Sequence, residues 1–181
     1  MASYVVHDSP VSAWLFANTK SSWIWLIIRL YVGYEWLMAG WGKVTSDMWT
    51  GSQAGSVITK FAMGSLAKTV GDHPDVPAWY AWFLNHLVIP YPQVWSFLVA
   101  YGELLVGIAL IIGFLTGIAA FFGVFMNANY LFAGTVSVNP ELLLLGILLM
   151  LAWKVAGHWG VDYYLLPKLG APWSPGRMLS K

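Results

Sequence analysis

The sequence contains no cysteine. Disulfides, CxxC redox pairs, c-type haem attachment and thiolate chemistry within the chain are excluded with it. Charge is almost as scarce: 9% of the 181 residues are Asp, Glu, Lys or Arg, where a soluble domain carries about a quarter. The net charge is +1, far from the basic excess that a nucleic-acid partner demands. No Gly-rich loop stands between a strand and a helix, so no flavin or nicotinamide domain is built in. Histidine is rare too, and none of His7, His73, His86 or His158 falls within a long apolar stretch. The facing histidines that hold a b-type haem in a helical bundle are therefore missing. Neither haem nor flavin is expected on this chain alone, and any redox cofactor is expected to be a diffusible quinone or to belong to a partner.

What the chain has in abundance is apolar and aromatic surface. Hydrophobic residues make up 59%, with 12 Trp and 9 Tyr. A chain this short cannot bury so much in one core, and the natural partner for the surplus is the lipid bilayer. A span needs about 20 mostly apolar residues. Four stretches qualify: 23–43, 93–113, 117–134 and 140–157. The second follows Tyr91-Pro92, where proline suits a helix start, and only Leu115-Thr116 separates the second from the third. The expected fold is all-α, an integral membrane four-helix bundle forming one domain over residues 1–181. No Lys or Arg occurs in the first 19 residues, so the basic start of a secretory signal is missing and the first span is expected to direct insertion.

Residues 45–92 differ in kind. SVITKFAMGSLAKTV and PAWYAWFLNHLVIP, joined by GDHPDVP, are too short or too polar to span. Val57, Phe61, Gly64 and Ala67 beside Lys60 and Lys68 suggest an interfacial amphipathic helix. Trp79, Tyr80, Trp82 and Phe83 read as an aromatic anchor at headgroup depth. The segment is either a loop lying on lipid or a lid over a site. VSAWLFAN, ahead of the first span, reads as a further short interfacial helix. Four spans put the tails, 1–22 and 158–181, on one side of the membrane. Lys20, Arg29, Lys154, Lys168, Arg177 and Lys181 fall towards that side, and Lys43, Lys60 and Lys68 towards the other. The positive-inside bias predicts a multi-pass protein of the cell membrane with both termini cytoplasmic.

Ionisable side chains within a span are costly and usually face the bundle interior. Arg29, Gly33, Trp36, Gly40 and Lys43 share one helical face, as do Ser96, Ala100, Glu103 and Gly107, and Ala120, Gly123, Asn127 and Gly134. Small residues beside a polar one are what close helix packing in lipid requires, so the three faces imply one shared interior. By rise per residue, Arg29 lies roughly 9 Å in from the cytoplasmic end and Glu103 about 15 Å from either end. The expectation is an Arg29–Glu103 pair, with Asn127 bonding the remaining carboxylate lone pairs and Lys43 meeting Glu141 near the outer face. Glu35 lies off this face and is expected to meet another neighbour, such as a second protomer or a partner subunit. His158 and Asp162, one helical turn apart, read as a satisfied helix end rather than a metal site.

RLYVGYEWLMAGWGK in the first span resembles the opening of the DoxX/DoxD family. So do YGELLVGIALIIGFLTGIAA across the second and third spans, NANYLFAG closing the third, VNPELLLLGILLMLAWKVAGHWGVDYYLLP through the fourth, and PAWYAWFLNHLVIP before the second. The likeness covers most of residues 23–167. It implies a small four-helix membrane subunit. In the DoxD branch it implies a subunit of thiosulfate:quinone oxidoreductase, which couples two thiosulfates to tetrathionate and passes two electrons to quinone. Other DoxX-like proteins are linked to thiol and oxidative-stress complexes, so membership fixes fold better than function.

The residues accommodate that chemistry. Arg29, Lys43 or Lys60 supply cations to hold two anions together; Glu103 or Glu35 relay protons to a quinone; Trp36, Tyr101 and Tyr130 offer an aromatic slot for its ring. For any single one of these aromatic residues, ordinary helix packing is the commoner explanation. The leading expectation is a quinone-linked redox subunit that works with a second membrane subunit or a larger complex, or as a homodimer. The alternative is a non-catalytic membrane scaffold in a respiratory or oxidative-stress complex, in which the polar groups only fix helix register. A solute channel is disfavoured, because four short helices with a clasped interior leave little pore.

Overall fold

The computed structural model describes residues 8–170, and all their regular structure is helical. Of the residues named above, His7, Arg177 and Lys181 lie outside the described residues. Helix α1 (Pro10–Ala17) opens with proline in its first turn and a Ser9 hydroxyl that accepts from the Ser12 N–H at 3.2 Å, the usual way of satisfying a free helix-start donor. The long α2 (Ser22–Val44, 23 residues) follows. Three short helices come next: α3 (Asp47–Thr50), α4 (Ser56–Leu66) and α5 (Ala78–Phe83), the last widening into a π turn over Leu84–Val88. Then come α6 (Pro92–Ile112), α7 (Thr116–Phe132) and α8 (Asn139–Leu151), a break at Ala152, and the short α9 (Trp153–Ala156) and α10 (Asp162–Leu165).

The helices meet where the sequence offers no side chain. A Cβ on Gly40 would collide with the Leu104 backbone, one on Gly107 with the Leu37 backbone, and one on Gly33 would press on Leu110 and Ile111 at 3.0 Å. Close approach of this kind replaces the missing hydrophobic drive between helices in an apolar surround. Gly123 admits the Trp36 indole, Gly146 faces Val124 and Gly117 faces Trp153, which ties α7 to α2 and to α8–α9. The three interior faces read from the sequence are buried as expected at Arg29, Gly33, Trp36 and Gly40, at Ser96, Ala100, Glu103 and Gly107, and at Ala120, Gly123 and Asn127.

The α2–α6 contacts also set a register. With Gly33 opposite Leu110–Ile111 and Gly40 opposite Leu104, the antiparallel α2 runs out near Ala100. The first two turns of α6 therefore project beyond it and are covered by the segment between the two helices. There the Ser96 hydroxyl donates to the Trp49 carbonyl at 2.7 Å, and the Trp95 indole N–H to that of Leu87 at 2.7 Å. The segment has its own small core of Ile58, Ala62, Val76, Tyr80, Leu84 and Val88, joined by Ala133. Lys68 fastens it by donating to the Gly134 carbonyl at 2.7 Å. The buried stripe of α4 is Ile58, Ala62 and Ser65, not the Val57–Ala67 face: Val57 and Phe61 are half-buried, while Gly64 and Ala67 are exposed. Packing against α6, rather than lipid alone, chooses the face.

Among the described helices, α6 alone is both long and apolar enough to cross a membrane by length and composition; α7 and α8 are apolar but shorter. The expected third and fourth spans end early because the chain turns at Gly134 (φ 69°) and breaks at Ala152.

Candidate binding site

Under the segment between α2 and α6 lies a cavity of about 670 Å³. Its walls come from α2 (Glu35, Trp36, Ala39, Lys43), α6 (Trp95 and Val99 in its projecting turns, and Glu103 just below them), the outer half of α7 and the start of α8; its roof is Trp49, Phe61, Trp79, Tyr80 and Phe83. The segment is therefore a lid. The lining is mostly aromatic and aliphatic, and one charged cluster stands in it. Lys43 on α2 is ion-paired with Glu103 on α6. The other Glu103 oxygen accepts from the Tyr130 hydroxyl of α7 at 2.5 Å. Glu103 is 1% exposed, and Lys43 lies with its ammonium 5.2 Å from the centre of the Trp49 ring, a cation–π distance. Burying a carboxylate costs several kcal/mol unless it is paired and hydrogen-bonded, and both conditions are met here.

This pairing corrects the expected Arg29–Glu103 contact. Equal depths were assigned to two helices assumed to start flush. The overhang of α6 shifts Glu103 to the level of Lys43 and leaves Arg29 beside Gly113, at the opposite end of α6. There Arg29, 1% exposed, donates to the Trp159 carbonyl at 2.9 Å. Next to it Asp162 accepts from the Leu115 and Thr116 N–H groups at 2.6 and 2.8 Å, capping α7. Asp162 is thus a satisfied helix end, and no metal-holding cluster exists among the described residues. Burial pushes the His158 imidazole down from its usual value. Lys43 does not meet Glu141 either, because Glu103 takes it; Glu141 accepts from the Tyr31 hydroxyl at 2.9 Å. Asn127 is fully buried but bonds neither Glu103 nor any other described group and lies outside the lining. Tyr101 is exposed and stacked on Phe97, centroids 6.2 Å apart, away from the cavity.

Five candidate residues do converge: Glu35, Trp36, Lys43, Glu103 and Tyr130 share the cavity. Lys60 is exposed and does not line it. The sequence reading missed Trp49, Trp95 and Val99. Trp95, Val99 and Glu103 stand one helical turn apart, so the cavity face of α6 was available from spacing alone. In the lid, burial pushes the Tyr80 phenol up to about 12. At neutral pH it is therefore a donor, and it donates to the Asn129 side-chain oxygen at 3.3 Å. Trp82 is exposed and off the cavity, Trp79 is exposed while its ring packs on Tyr80 and Phe132 at the cavity edge, and Tyr80 and Phe83 turn inward.

The DoxX family model matches residues 24–136, well over half of the chain. That span holds α2, the whole lid, α6 and α7, and so most of the cavity. The family is membrane-associated and often linked to quinone and oxidoreductase function. Neither the curated proteins nor the solved structures contain a match to the chain.

Proposed function

The chain belongs to the DoxX family, and from that premise we propose that it is a membrane-spanning subunit of a quinone-linked oxidoreductase, with the quinone ring held under the lid against Lys43, Glu103 and Tyr130. The observation that carries this reading is a partly open, largely aromatic cavity of about 670 Å³ with a Lys43–Glu103 ion pair on its wall. Small-molecule sites typically measure about 300–1,000 Å³, mostly apolar with a few convergent polar groups. The residues fit the group: flat apolar surfaces for a ring, and donors for its oxygens.

A bound quinone supplies an acceptor for two electrons and two protons. Lys43 has three ammonium hydrogens and engages Glu103, so hydrogens remain to orient a ring oxygen. Tyr130 and Lys43 both donate to Glu103, which holds the two donors in place beside the cavity. Glu103 is buried at 1% exposure, which strengthens its attraction to Lys43. Without cysteine the chain has no thiol relay of its own, and the electron donor is assigned to a partner, a second membrane subunit or a larger complex. Thiosulfate is the finer reading carried by the DoxD-like strings. The cavity lends it no support, since two thiosulfate anions need several cations and Lys43 is the one cation in the lining, already paired. The donor site is accordingly proposed to lie outside this cavity.

In the same reading α2, α6, α7 and the broken α8–α9 cross the membrane, the lid faces outward and the termini are cytoplasmic. Together α8 and α9 run from Asn139 to Ala156, about 27 Å at 1.5 Å per residue, close to the bilayer core of about 30 Å. In intact cells an impermeant thiol reagent should label Ser52→Cys and spare Lys168→Cys; the opposite pattern reverses the sidedness. Electron transfer tests the function. Membranes holding the chain with its natural partners should reduce a short-chain quinone, and the Lys43→Met/Glu103→Leu double variant should assemble but lose that reduction. Normal reduction with the folded double variant would leave a scaffold.

A further inference from the structure

Glu35 is the second carboxylate in the cavity wall and the only acid there besides Glu103. It is half-buried on α2 and makes no hydrogen bond or ion pair among the described residues. Glu103 is different: Lys43 and Tyr130 occupy both its oxygens. Two polar groups of the lining, Lys43 and Glu35, therefore offer opposite chemistry. Lys43 presents spare N–H donors. Glu35 presents carboxylate acceptors with nothing to accept from. Glu35 and Lys43 are eight residues apart on one helix, about 12 Å along its axis at 1.5 Å per residue. Side chains on a helix lean towards its N-terminus, so the lysine stem shortens that gap from the far end. With no partner among the described residues, the half-buried Glu35 carboxylate is free to accept from a ligand hydroxyl.

We propose that Glu35 is a specificity-determining residue of the cavity, accepting a hydrogen bond from a ring hydroxyl of the reduced ligand, a hydroquinone, while Lys43 donates to the oxygen at the ligand's other end. The proposal rests on the quinone reading above and deepens it. The oxidised ring has only acceptor oxygens, so it uses Lys43 and gains nothing from Glu35. The reduced ring carries O–H groups and uses both. The site then holds the hydroquinone more tightly than the quinone, and Glu35 sets the difference.

The test uses the full chain in lipid nanodiscs, titrated separately with a short-chain benzoquinone and its hydroquinone. Quenching of the cavity tryptophans, Trp36, Trp49, Trp79 and Trp95, is the readout. The wild type should bind both, the hydroquinone more tightly. Glu35→Gln, which keeps the shape and removes the charge, should weaken hydroquinone binding about tenfold, roughly 1.4 kcal/mol, and leave quinone binding unchanged. Glu35→Asp should retain a preference for the reduced form. Equal weakening of both forms by Glu35→Gln, or no change in either, overturns the role of Glu35 while leaving the quinone reading in place. Absence of binding by the wild type overturns both.

Discussion

Glu103 holds the charged cluster together, and the two residues it engages differ in what they leave behind when its partner is removed. Replacing one member of a buried ion pair strands the other, at about 3–5 kcal/mol when burial is complete. Glu103 is 1% exposed and Lys43 20%. Lys43→Met should therefore cost about 3–5 kcal/mol, because the stranded carboxylate is fully enclosed, and Glu103→Leu less, because the ammonium keeps some solvent. The double variant should recover most of the loss, since an apolar pair has nothing to desolvate. Thermal melting in detergent over the full double-mutant cycle checks this; independent, additive losses would show that the two side chains do not act as a pair. At this scale the sequence named the participants without the pairing. Periodicity put Lys43, Glu103 and Trp36 on interior faces. It carried no information on how far α6 slides past α2, and that slide decides whether Glu103 meets Arg29 or Lys43.

Among the elements, the contact between α2 and α6 is set by Gly33, Gly40 and Gly107. A methyl on Gly107 would run into the Leu37 backbone, while nothing lies within 4 Å of a methyl on Gly42 of the same pair of helices. Gly107→Ala should lower stability by about 1–3 kcal/mol through overpacking. Gly42→Ala should leave it unchanged or raise it by up to about 1 kcal/mol through helix propensity. Melting temperatures of the two variants check the contrast, and equal effects would contradict the register. The lid gives a pH prediction. Tyr80 has a phenol pushed up to about 12 by burial, against about 10 in an unfolded chain. Its contribution is fully present below pH about 10 and is lost as pH rises from there towards 12, because the unfolded state releases the proton first. Denaturation curves of wild type and Tyr80→Phe should then diverge from each other only in that alkaline window; parallel curves throughout would place Tyr80 in water. The lid itself was half legible. Its lengths and aromatic content separated it from the spans, and its helix over Ser56–Leu66 follows from the apolar spacing. That it closes a cavity depends on the projecting turns of α6 and on Lys68 reaching Gly134, neither of which leaves a local signal.

At the scale of the whole molecule, the scarcity of charge, the four apolar stretches and the small-plus-polar faces led to an all-α chain, and the regular structure of the described residues is all helical. The boundaries of α2 and α6 came out within a residue or so of the expected 23–43 and 93–113, because Ser22, Pro92 and Gly113 punctuate them. The later helices were overextended, since Gly134 and Ala152 interrupt runs whose hydropathy continues. The interior was read as one site and is two polar places at opposite ends of α2. Arg29 and Asp162 secure one end by capping and carbonyl contacts, and the lidded cavity with Lys43, Glu103 and Tyr130 occupies the other. The central claim is that this cavity holds a quinone. The direct measurement is the quinone content of the chain purified from its own membranes, compared with a Val99→Trp variant that fills the cavity from α6. The account predicts quinone in amounts comparable to protein in the wild type and little in the filled variant. Background quinone in both, or equal amounts in both, would contradict it.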